Sequence, residues 1–160
     1  MGFALKLGMD FFVEPEYNRR NSETEAMDGT DTPWLFASCA RGLKRCIIPI
    51  LSEADESSEY TVRLYFADFD NEQAGKRTFD IKLQGQLVSN DFDIVREATG
   101  PSKTIVQQFR GVKVSRNMEI ELVAPDKQLS SKNILPVLCG IEVLRERKTA
   151  EVATTAQARQ

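Results

Sequence analysis

The sequence predicts an all-β domain, a two-sheet antiparallel β-sandwich of the jelly-roll or galactose-binding-like kind. Three observations lead there. Short runs alternate apolar and polar residues with a period of two, they return at intervals of about ten to fifteen residues with turn residues between them, and no stretch carries a convincing amphipathic helix. With 160 residues, 41% of them hydrophobic, the chain can bury a core large enough to fold as one domain. It shows no internal repeat.

Taken in order, Phe3 to Met9 and Lys44 to Leu51 are the first strands, and Pro49, which has no amide hydrogen for a ladder, places the second at an edge or bulge. Between them Glu14 to Pro33 is polar, charged and longer than an ordinary connection, which marks a functional or disordered loop, and Tyr17 within it could reach over a site. The clearest pattern runs from Tyr60 to Phe66, with Tyr60, Val62, Leu64 and Phe66 alternating against Thr61, Arg63 and Tyr65. Asp68 to Gly75 is polar, ends in glycine and reads as a loop. Thr78 to Gln84 alternates again, with Phe79, Ile81 and Leu83 on one face, so two strands flank a loop of about eight residues, long enough to carry function.

Gly85-Gln86 marks a turn before Leu87-Val88, Asp91 to Val95 reads as a tight connection or short strand, and Gly100-Pro101 breaks the chain again. Thr104 to Phe109 and Met118 to Leu122 are further strands, the latter with Met118, Ile120 and Leu122 inward and Glu119 and Glu121 outward. Lys127 to Asn133 is a surface loop. Val137 to Leu144 is apolar nearly throughout, as suits a strand covered on both faces or near the sandwich centre. Thr149 to Gln160 lacks an apolar face and reads as a tail or linker.

Composition narrows the function. Twenty-one basic against 24 acidic residues give a net charge of −3 with neither sign gathered in a long block, which argues against nucleic acid and membrane surfaces as partners. No run approaches the roughly 20 apolar residues of a membrane span, and Met1 to Phe12 lacks the parts of a signal peptide, so the chain as given reads as soluble. The absence of histidine excludes His-assisted nucleophiles and the common His-containing zinc sites. Cys39, Cys46 and Cys139 lack CxxC spacing; they read as three buried small side chains, with a single bridge the alternative in an exported protein.

Four segments in order, Tyr60-Thr-Val-Arg-Leu-Tyr-Phe-Ala-Asp68, Gly75-Lys-Arg-Thr-Phe-Asp-Ile-Lys-Leu-Gln-Gly85, Asp91-Phe-Asp-Ile94 and Cys139-Gly-Ile-Glu-Val143, resemble the malectin domain family. The resemblance covers roughly Tyr60 to Leu144. It implies a sandwich over residues 1–147, with 148–160 as a flexible tail, and a ligand site built by loops at one end. It further implies a non-catalytic carbohydrate-binding module of the bacterial accessory type, set beside neighbouring domains of a larger extracellular or periplasmic protein. The family lectin's adjacent Tyr-Phe pair falls here on Asp70 and Asn71, and its aspartate before the last strand has no counterpart in Asn133 to Pro136, so recognition of a diglucosyl unit is not implied.

Sugar sites combine an aromatic face for the ring's C–H patches with planar polar groups for its hydroxyls. Trp34, Phe36, Arg41, Tyr65, Asp68, Phe69, Asp70 and Asn71 supply those types and form the candidate ligand site. Each has a plainer alternative: core packing for Trp34, loop anchor for Phe69, solvated loop for Asp70 and Asn71, a surface ion pair for Arg41. Asp80 and Asp93 read as structural, satisfying turn or backbone donors. No cofactor is expected; Asp68, Asp70 and Asn71 offer calcium oxygen ligands, but without the full spacing of a calcium loop. Asp68 and Asp70, two apart in one loop, would flank a glycosidic bond only by accident, so no enzyme activity is expected. A structural or protein-binding sandwich with no sugar site is the other function the sequence allows.

Overall fold

A computed structural model describes residues 7–19, 30–125 and 131–148, with residues 14–19 as backbone. The chain is an all-β sandwich of two antiparallel sheets. Its strands are β1 (Gly8–Arg19), β2 (Ser38–Pro49), β3 (Ser58–Ala67), β4 (Thr78–Leu83), β5 (Gln86–Asp93), β6 (Thr104–Val114), β7 (Asn117–Val123), β8 (Val137–Leu138) and β9 (Gly140–Arg145), with a one-turn helix α1 (Ile94–Glu97) and a 3-10 turn over Pro33–Phe36. The larger sheet runs β1-β2-β7-β4-β5, with β8 also paired to β2, and the smaller runs β6-β3-β9.

The alternation in the sequence becomes the core. In β3 the buried alternate positions are Ser58, Tyr60, Val62, Leu64 and Phe66, with Ala67 buried as well; in β4 they are Phe79, Ile81 and Leu83; in β7 they are Met118, Ile120 and Leu122. Phe66, Phe79 and Phe92 meet between the sheets with ring centroids 4.8 to 5.9 Å apart, in tilted and edge-on arrangements that suit the ring quadrupoles. Each such side chain contributes about 1.5–3 kcal/mol by leaving water.

Several expectations change. The runs flanking the polar loop do form strands, but β3 and β4 lie in opposite sheets, so residues 68–77 cross from one sheet to the other. The apolar run from Val137 is two strands: β8 pairs with β2, Cys139 donates its amide to Tyr65 O at 2.9 Å, and β9 pairs with β3. Val137 and Leu138 are buried and β9 is a half-exposed edge strand, so a change of sheets, rather than burial throughout, explains the composition.

The first strand begins at Gly8 and takes in residues 14–19, which the sequence placed in a loop; residues 1–6 and 20–29 lie outside the described residues. Backbone pairs from Glu16↔Arg41 to Arg19↔Ser38, including Tyr17↔Ala40, hold the polar half of β1, past an irregularity that contains Pro15. An edge strand held through its main chain needs no apolar alternation, which is why the pattern missed it. β2 starts at Ser38 and lies inside the sheet, with Pro49 as its last residue, opposite Asn117. β6 runs on to Val114, past Gly111 at φ +68°, a left-handed position that suits glycine.

Asp91 to Val95 ends β5 and opens α1. Asp93 Oδ1 accepts the Arg96 amide at 3.0 Å as helix N-cap, its other oxygen accepts the Gly75 amide, and Asp80 Oδ1 accepts the Asp91 amide at 2.8 Å, so both aspartates have the structural role expected of them. Cys39 and Cys139 are bonded, and Cys46 is a buried free thiol. Residues 126–130 of the expected surface loop and the expected tail, 149–160, lie outside the described residues. Among the described residues no helix is long and apolar enough to cross a membrane.

Candidate functional site

The crossing from β3 to β4 is built around one buried carboxylate. Asp68, 1% exposed, ends the inward-facing series of β3. Its Oδ1 accepts the amides of Asp70 at 3.0 Å and Asn71 at 3.2 Å, which curls the loop back on itself as an aspartate at a turn start does. Its Oδ2 accepts Asn71 Nδ2 at 2.9 Å, and that amide also donates to Asn133 O at 2.7 Å, tying the loop to the segment before β8.

Arg77, also 1% exposed, lies under this loop. Its Nη1 is 2.5 Å from Asp68 Oδ1, and its Nη2 is 2.8 Å from Asp70 Oδ2 and 3.2 Å from Lys132 O. From β2, Arg41 Nη2 meets both oxygens of Asp70, at 2.9 and 2.8 Å. Partial burial alone would raise the Asp70 carboxyl, but the hydrogen bonds and charge of Arg77 and then Arg41 outweigh it and hold the group below the usual carboxylate range.

Phe36, Cys39, Arg41, Ala67, Phe69, Asp70, Arg77 and Val137 line a cavity here of ≈ 20 Å³. That is room for about one water molecule, far short of a sugar ring. The aromatic residues divide around it. Phe36 is 1% exposed and packs edge-on against Tyr65 at 5.8 Å, so it offers no face to a ligand. Phe69 is half-buried on the cluster of Phe36 and Ala67. Trp34, on the 3-10 turn two residues before Phe36, is 63% exposed.

Tyr65 lies on the outer face of β3, where its hydroxyl donates to Glu142 Oε2 at 2.9 Å and Arg63 Nη1 meets the same oxygen at 3.1 Å. Desolvation and then the Glu142 carboxylate push the Tyr65 phenol up, while the tyrosine hydrogen bond and then Arg63 hold Glu142 down.

Of the eight residues singled out in the sequence, the structure gathers Arg41, Asp68, Phe69, Asp70 and Asn71 at one end of the sandwich, over Phe36. Asp68 and Asn71 are buried in the frame, Tyr65 turns toward Glu142, and Trp34 stands in solvent. Sequence reasoning missed Arg77 and Glu142. A signal for Arg77 exists: it continues backward the inward series Phe79, Ile81, Leu83, as Asp68 continues forward the series Leu64, Phe66. The Asp68 and Asp70 carboxylates proposed for calcium face arginines, and among the described residues no cluster of three acidic or sulfur ligands could hold a metal ion.

A family model described as the malectin domain matches residues 14–137. A probable LRR receptor-like serine/threonine-protein kinase of Arabidopsis thaliana is 37% identical over 84 residues, 48% of this chain and 8% of the relative. A probable receptor-like protein kinase of the same plant is 28% identical over 111 residues, 69% of this chain and 13% of the relative. The chain therefore spans about a tenth of these curated relatives. Among solved structures, the ANX1 ectodomain from Arabidopsis thaliana superposes with a TM-score of 0.65 at 8% identity, covering 88% of this chain and 41% of that one. Bacteroides uniformis beta-glucuronidase 2 gives 0.64 at 14% identity, covering 87% and 14%. At such identities these likenesses speak for the fold alone.

Proposed function

Because this chain belongs to the malectin domain family, we propose that it is a non-catalytic recognition domain whose loop end binds a glycan. The observation that carries this reading is Trp34, the one tryptophan of the chain, 63% exposed on the 3-10 turn two residues before Phe36, which lines the cavity shared by Arg41, Asp70 and Arg77. An indole left in water at the loop end is a stacking platform that costs nothing to uncover. Phe69 and the outer edges of Arg41 and Asp70 supply the neighbouring apolar and planar polar groups. The ligand lies on this shallow rim, since the cavity of ≈ 20 Å³ beneath it holds no ring. Asp68 and Asp70 are committed to arginines, so this pair is not free to flank a scissile bond.

The domain acts as an accessory part of a larger extracellular protein, a reading supported by receptor-like relatives of about ten times its span and by the Cys39–Cys139 bond, which persists in oxidising surroundings. Those relatives are plant proteins, so the bacterial origin implied by the resemblance finds no support in them. A second reading, a protein-binding sandwich without a sugar site, is favoured by the same closed cavity. It also fits a structural neighbour described as plant peptide RALF23 in complex with FER and LLG2, with a TM-score of 0.60 at 12% identity.

A glycan array followed by titration of the best binder separates the two. Glycan affinity is expected to fall about five- to tenfold in Trp34→Ala, the loss of a stacking face worth about 1–1.5 kcal/mol, with the thermal midpoint nearly unchanged because the side chain is exposed. Silence across neutral and acidic glycans would transfer the domain to the protein-binding reading.

A further inference from the structure

The two sheets differ in strand number, so the sandwich stays open along β5 and β6, each the last strand of its sheet. Between them lies a cleft of ≈ 670 Å³ with Leu83, Val88, Phe109 and Val112 in its walls and Arg110 and Lys113 at its rim. That volume falls in the range of ligand sites. Lys113 also lines a second depression, of ≈ 870 Å³, where Arg145, Arg147 and Lys148 add three more cations. The two hollows therefore adjoin at one side chain. They occupy the end of the sandwich where β3 begins at Ser58, a strand's length of roughly 30 Å from the loop that follows Ala67.

The charges here are only partly compensated: the Gly111 amide, the Thr61 hydroxyl and then the charge of Arg110 hold the Glu146 carboxyl below the usual range. Among the described residues Arg110, Lys113 and Arg147 form no ion pair. Lys148 reaches Glu56 only at 3.9 Å with both groups exposed, and Arg145 Nη2 donates to the neutral Ser58 Oγ at 2.8 Å. Of the two acids that line the second hollow, Glu146 Oε1 is taken up by the Thr61 hydroxyl and the Gly111 amide, each at 2.8 Å, and Glu59 stands opposite Lys113 in the β3–β6 register. The bulge at Gly111 separates Arg110 from Lys113, and bulges of this kind re-aim side chains beside sites.

We propose that this cleft is a docking groove for an acidic, extended peptide segment of a partner protein, its carboxylates on Arg110, Lys113 and Arg147 and its intervening apolar side chains on Val88 and Val112. A glycan fits less well, because Phe109, the aromatic residue of the cleft, is partly buried against the core rather than standing free as a platform. Nucleic acid is opposed by the net charge of −3 on the chain. The groove is independent of the glycan reading of the loop end.

The test is fluorescence anisotropy with the full chain and a labelled hexapeptide alternating glutamate and valine. The lysine-valine peptide and a uronic-acid hexasaccharide of equal charge serve as competitors. Binding is expected to weaken about tenfold or more in Arg110→Glu/Lys113→Glu and on raising salt from about 50 to 300 mM, and to be unchanged in Trp34→Ala. Both reversed residues are exposed; should that variant melt early, Arg147→Glu asks the same question from the adjoining hollow. Equal affinity for the lysine-valine peptide, an unmoved Kd in the charge-reversed variants, or stronger binding of the hexasaccharide would each overturn the proposal. Loss of glycan binding in Trp34→Ala, or its absence altogether, bears only on the loop end.

Discussion

Removing the Arg77 guanidinium would leave the carboxylate of Asp68, 1% exposed, without its countercharge, and would release Asp70 and the Lys132 carbonyl as well. Arg77→Met is therefore expected to cost about 3–5 kcal/mol, the usual penalty for stranding a buried charge, measured as the shift in urea unfolding. Arg77→Lys keeps the charge but not the fork that spans two carboxylates, and should recover only part of that loss. Asp70 adds a dependence on acid. Its carboxyl is held below its unfolded value, so the stability it lends is present above about pH 4 and drains away as pH falls through the lower folded value. Unfolding followed from pH 5 down to pH 2 should be flatter in Asp70→Asn than in the parent chain. The sequence offers Asp70 as a candidate ligand residue with a solvated loop position as the plainer alternative, and in the structure it is held between two arginines, above a buried Asp68. What hid the buried pair was residue type: charge argues for exposure, while the strand phase of Asp68 and Arg77 argues for burial, and phase prevails when two opposite charges meet.

At the level of elements, the alternation within β3, β4 and β7 was legible because one face of each strand leaves water, whatever its neighbours are. The same signal says nothing about pairing: it marks β3 and β4 as successive strands but does not show that the loop between them changes sheets. Val137–Leu138 and Gly140–Arg145 were read as one strand for a related reason: an apolar run looks alike whether it stays in one sheet or passes between two. The Cys39–Cys139 bond fastens that passage, joining the start of β2 to the residue between β8 and β9 across 100 positions of sequence. Opening it in Cys39→Ser/Cys139→Ser is expected to cost about 2–5 kcal/mol, read as a fall in thermal midpoint that a reducing agent reproduces in the parent chain and not in the variant. Burial pushes the Cys46 thiol up, so it should stay a bystander to exchange in that experiment.

Across the whole molecule, six strands facing three leave open borders, and the two ends of the sandwich differ in chemistry: a charge-satisfied loop end with a bare indole, and a far end of exposed cations. The sequence by itself determined the class of fold, most of its strands and the family, since these depend on patterns and motifs read along the chain. It also brought Trp34, Arg41 and the Asp68 to Asn71 loop under consideration, through residue type and a position between strands. Only the tertiary structure decided which strands share a sheet, which two cysteines join, that Arg77 lies buried beneath the loop, and where the unpaired cations gather. Each of these is a contact between residues distant in sequence, and its energy depends on what the fold places opposite a side chain, which no local pattern encodes.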